Sequence, residues 1–93
     1  MAELVNNLQS QDNDFELEQF YKTVGANVKR LRKEKGYSKL KLANALGYQS
    51  VGHIAKAELY KYGKVFNLEH MHKISKTLNV DVCEFFKPIP PSN

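Results

Sequence analysis

Apolar residues recur at intervals of three and four along most of this chain, and nowhere do they alternate long enough to build a sheet. Phe15, Leu17, Phe20, Tyr21, Val24, Val28 and Leu31 trace one stripe along a first helix that starts at Asp14. Gly36 suits the left-handed position just past a helix, and Lys33 and Lys35 suit its negative end, so this helix should close at Lys35. Gly25 lies inside it and either bends the helix or lets a neighbour come close. Ser38 caps a short second helix, with Leu42, Ala43 and Leu46 inward, which Gly47 stops. Ser50 caps a third, with Val51, Ile54 and Ala57 inward, and residues 60–66 form a loop around Gly63. Asn67 caps a fourth, whose stripe is Leu68, Met71, Ile74, Ser75 and Leu78, and Asn79 closes it. A last short helix from Asp81 presents Val82, Phe85 and Phe86 before Pro88, Pro90 and Pro91 forbid any more. The expected fold is therefore all-α, five short helices within residues 14–87. A flexible or weakly helical polar arm (1–13) precedes it and an extended Pro-rich tail (88–93) follows.

With 93 residues there is room for one domain. No apolar run is long enough to span a bilayer, and the opening residues carry Glu3 without an apolar core, unlike a signal peptide. A cytoplasmic protein is expected. The single cysteine, Cys83, excludes an internal disulfide and a Cys-rich zinc site, and its place in the last helix suggests a small buried hydrophobe.

The net charge of +4 conceals two opposed segments. Residues 1–23 set five carboxylates against Lys22, a net of −4, while residues 24–93 set thirteen Lys and Arg against five acids, a net of +8. Seven of those cations fall between Lys29 and Lys41. A body this small and this basic favours a polyanionic partner, through counterion release and steering; the plain alternative is a basic surface kept for solubility.

Catalysis has no support. His70 and His72 are two apart and point to different helix faces, which makes a poor metal site, and solvated or capping histidines are expected there. No Ser–His–Asp or Cys–His arrangement and no Gly-rich phosphate loop can be assembled, so no cofactor is expected. What stands out is residues 38–59: helix, tight connection at a glycine, second helix. Their inward residues leave the outer edge of the second helix free, as in a helix-turn-helix.

Residues 24–47 (VGANVKRLRKEKGYSKLKLANALG) resemble the first half of lambda-repressor-like, XRE-type DNA-binding domains. The pieces 54–58 (IAKAE), 67–69 (NLE), 74–78 (ISKTL) and 82–86 (VCEFF) resemble the second half, so the likeness covers residues 24–86. It implies a five-helix fold that reads a pseudo-palindromic operator in duplex DNA as a homodimer and regulates transcription, most often as a repressor. It places Gln49, Ser50, Val51, His53 and Lys56 on or near the exposed face of the recognition helix, for base or phosphate contact. Lys39, Lys61 and Lys64 are implied phosphate contacts, with Tyr60 and Tyr62 as hydroxyl donors. Arg32 and Glu58 match a buried pair that ties the first helix to the end of the recognition helix. The chain departs from the family pattern in four ways. Lys39 replaces the usual Gln after the capping Ser, the turn before Ile54 and the loop before Leu68 are longer, and Gly52 stands where a base-reading side chain is expected. A different class of function is a protein-interaction module, such as an antitoxin that neutralises a partner protein through the N-terminal extension.

Overall fold

The computed structural model describes the backbone of residues 2–47 and 51–89, with side chains from residue 14 onward. Among the described residues there are four α-helices, two 3₁₀ turns and no strand. They are α1 (Ala2–Glu34), α2 (Lys39–Ala45), α3 (Gly52–Leu59) and α4 (Leu68–Leu78), with 3₁₀ turns at Lys61–Gly63 and Val82–Phe86. None of the described helices is long and apolar enough to cross a membrane.

Helix α1 ends where its capping chemistry directs. Gly36 takes φ +74°, and the Gly36 and Tyr37 N–H groups donate back to the carbonyls of Lys33 and Arg32. At the other end it starts at Ala2, not Asp14, because the polar sequence before Asp14 offers no apolar period from which to read a helix. Its 33 residues correspond to roughly 50 Å at 1.5 Å per residue, the length of the molecule's longest axis, 50 Å. Val24, Val28 and Leu31 are buried, whereas Leu17 and Phe20 of the same stripe are exposed. Phe15 falls off the stripe: at 100° per residue it points about 160° away from Leu17, and it is 63% exposed. Gly25 does not bend the helix. It lets α3 touch it: a Cβ there would lie 2.5 Å from the Ala57 carbonyl oxygen and 2.6 Å from that of Glu58, both backbone atoms.

The Ser38 hydroxyl accepts from the Lys41 N–H and starts α2, which buries Leu42 and Ala43 and is followed by buried Leu46. Ile54 and Ala57 of α3 complete that side of the core. The start of α3 is Gly52 with Val51 as its cap residue, and the expected Ser50 cap lies outside the described residues. In α4, Met71, Ile74, Ser75 and Leu78 are buried, but Leu68 is 79% exposed. With Asn67 as cap, Leu68 is the first helical residue and points outward, and Phe66, just before the cap, takes the inward place.

The fifth helix is a 3₁₀ turn. Of its apolar residues only Phe85 is buried, while Val82, Phe86 and Cys83 stay exposed. Cys83 is thus no buried hydrophobe. Hydrogen bonding to the Asp81 carboxylate, and that group's charge, push the pKa of its thiol up and so lower its thiolate fraction. The turn is held by Asn27, buried on α1, whose amide donates to the carbonyls of Phe85 (2.9 Å) and Lys87 (2.8 Å).

Candidate nucleic-acid interface

The segment 38–59 carries two short helices that pack on each other, α3 also against α1 and α2 also against α4. Its orientation is set by one ion pair. Arg32 Nε and Nη2 donate to the two Glu58 oxygens at 2.7 and 3.2 Å, and Nη1 donates to the Tyr37 carbonyl at 2.8 Å. Both side chains are almost wholly buried. A planar guanidinium matches two carboxylate oxygens and still has a donor for a carbonyl, which a lysine ammonium does not offer in fixed geometry. One side chain therefore fixes the end of α3 and the residue beside the α2 cap, both against α1.

Around this frame the residues implied in nucleic-acid contact separate into three groups. Lys39 opens α2 and is exposed, and so are Lys56 on α3 and Lys61 and Lys64 beyond it. Among the described residues the ion pairs use Lys22, Arg30, Arg32, Lys73 and Lys87, and none uses those four lysines. Val51, His53 and Tyr60 are half-buried and turned toward the protein. Val51 packs on the core, the His53 ring lies against Phe66 and His70, and the Tyr60 ring stacks on Tyr21 at 5.7 Å. Gln49 and Ser50 lie outside the described residues.

The structure also shows what the sequence patterns understate. Tyr62 is 77% exposed in a left-handed conformation (φ 55°), with the Lys56 and Lys61 ammonium groups 5.8 and 5.5 Å from its ring centroid. Tyr60 is left-handed too (φ 53°), so the chain leaves α3 through two such tyrosines and Gly63. The usual signal for a left-handed residue is Gly or Asn, which is why only Gly63 marks this turn in the sequence. At the far end of the first helix turn, Lys41 sits 4.4 Å from the Tyr37 ring centroid. Lysine ammonium groups thus lie beside aromatic rings at two places, Lys41 at Tyr37 and Lys56 with Lys61 at Tyr62.

No family model, curated protein or solved structure matches this chain.

Proposed function

We propose that this protein is a sequence-specific, double-stranded-DNA-binding regulator of the lambda-repressor-like, XRE-type class, acting as a repressor. The observation that carries the reading is the set of exposed lysines on and beside α2 and α3 (Lys39, Lys56, Lys61 and Lys64), which have no carboxylate partner among the described residues, while Glu58 is neutralised inside by Arg32. Cations left unpaired on one helix pair are what phosphate contact requires, and a buried clamp holds that pair in a fixed attitude. Lys39, Lys61 and Lys64 would hold phosphates, and Lys56, with Gln49 and Ser50, would face base edges. Val51, His53 and Tyr60 then act from behind, by supporting α3. As a reader of a two-fold site, the protein would pair as a homodimer with α3 helices about one DNA turn apart, roughly 34 Å.

Titration with mixed-sequence duplex DNA at several salt concentrations tests this. The expected result is binding whose affinity falls steeply with salt, by about one unit of slope less for each of Lys39, Lys61 and Lys64 replaced by Ala. Absence of binding at about 50 mM salt would overturn the reading and leave the protein-interaction alternative.

A further inference from the structure

The first turn of α4 is closed by a hydrogen-bond exchange with a histidine in an acidic or amide residue's usual place. Asn67 Oδ1 accepts from the His70 N–H at 2.8 Å, and the Asn67 N–H donates back to His70 Nδ1 at 3.0 Å. In most capping boxes a Glu or Gln supplies that second acceptor. An imidazole nitrogen accepts only while it carries no proton. The same ring lies 5.0 Å, centroid to centroid, from His53 in the first turn of α3. Both rings stand edge-on to Phe66, at 6.1 and 6.3 Å, and Phe66 is a core residue. A neutral His70 therefore takes part at once in the α4 cap, the α3 contact and the wall of the core.

Protonation opposes each of these roles. A proton on Nδ1 would set two donors against each other at the cap. A cation in the first turn of α4 would meet the positive end of the helix dipole, and it would face His53, itself near the start of α3. Among the described residues, the charged groups acting on His70 include Glu69 and Lys73 on its own helix, paired with each other at 3.1 Å, and His53 from α3. Burial first, then His53, hold the His70 imidazole below the ordinary histidine range against the opposing pull of Glu69.

We propose that His53, Phe66 and His70 form an acid-sensitive latch between α3 and α4, closed while His70 is neutral and released when it takes a proton. Because the folded chain holds that proton less tightly than the unfolded chain, stability falls as pH drops through the unfolded value, near 6.5. The loss is complete once His70 is charged in both states. The latch stands independently of the nucleic-acid reading. If that reading holds, the element it steadies is the reading helix.

Two measurements on the full chain test it. Between about pH 7.5 and pH 5.5 the melting temperature of the native sequence should fall. His70→Gln, which keeps a capping acceptor that does not titrate, should remove most of that fall. His53→Phe, which keeps a ring and deletes its charge, should move the His70 titration midpoint upward in an NMR series. Equal pH dependence in the native and His70→Gln proteins would overturn the latch. So would a native His70 that titrates at or above the ordinary histidine value, a result readable even if neither variant folds.

Discussion

Helix α1 carries one apolar stripe with two outcomes. Val24, Val28 and Leu31 disappear into the core, while Leu17 and Phe20, two turns and one turn upstream on the same face, remain 48% and 43% exposed. The period is the same in both halves, so it cannot be what decides burial. The difference lies in what crosses each half. The inner half meets α3 at Gly25, close enough that no Cβ fits, and it alone carries buried polar residues, Asn27 and Arg32. Each of these binds a separate part of the fold: Arg32 the end of α3 and the α1–α2 turn, Asn27 the C-terminal 3₁₀ turn. Among the described residues, the outer half shows ring contacts, Phe20 on Phe86 and Tyr21 on Tyr60, and an i,i+4 ion pair in solvent. Burial follows the anchors.

Removing an anchor should therefore cost far more on the inner half than on the outer. Glu58→Ala leaves the Arg32 charge buried without its partner, and we expect a loss of about 3–5 kcal/mol in urea unfolding. Glu18→Ala, which breaks the exposed Lys22–Glu18 pair, should change stability by less than about 0.5 kcal/mol. Replacing Arg32 and Glu58 together by apolar residues of similar size should recover much of the first loss. If the protein reads DNA as proposed, such a double variant should still bind it less well, because the hydrogen-bonded clamp on the end of α3 is gone. Similar losses for Glu58→Ala and Glu18→Ala would break the contrast between the halves.

Asn27 sharpens the comparison with a neutral group. Its amide donates to two carbonyls near the chain end, so Asn27→Ala should cost about 1–3 kcal/mol. The loss should be local in character: amide exchange should quicken in residues 82–87 well before the α2 and α3 amides respond. Uniform loss of protection would mean that the 3₁₀ turn and the core open as one unit.

Much of this frame is legible in the sequence because it is written in short-range chemistry. Ser38 and Asn67 as caps, and Gly36 and Asn79 in left-handed positions, follow from local hydrogen bonding and backbone sterics, and the inward faces of α2 and α3 follow from spacing. What escapes is long-range or masked by residue type. Asn27 is a polar residue on an apolar face, and its partners are 58 and 60 residues away. Phe66 sits in a loop with no period around it, and Leu68 is apolar where the cap turns it outward. The start of α1 has no stripe to announce it. His53 lies at a helix start like an exposed reader, yet its ring finds Phe66 and His70 in a different helix. The Arg32–Glu58 pair is 26 residues apart and was suggested by resemblance alone.

A small effect on stability is also expected at the outer strip, and it separates two accounts of why the strip exists. Phe20 stacks on Phe86 at 5.7 Å beside a groove of about 360 Å³ that Leu68 and Met71 also line. If Leu17 and Phe20 serve only to shield this chain's own core, Leu17→Gln with Phe20→Gln should lower the melting temperature and leave the sedimenting mass unchanged. If they pack against a second copy, the exposed area they already show in one chain means that little folding stability depends on them, about 1 kcal/mol or less. The same change should then convert a dimer to a monomer. Phe15 supplies the control, since it is apolar and exposed on the opposite face of the same helix. Phe15→Gln should alter neither mass nor melting, and the pair of results decides whether position on the stripe, rather than hydrophobicity alone, controls association. We expect the second outcome for Leu17 and Phe20, because an exposed aromatic continuous with a groove gains more from a facing surface than from its own chain. Loss of melting temperature without loss of mass would assign the strip to the core.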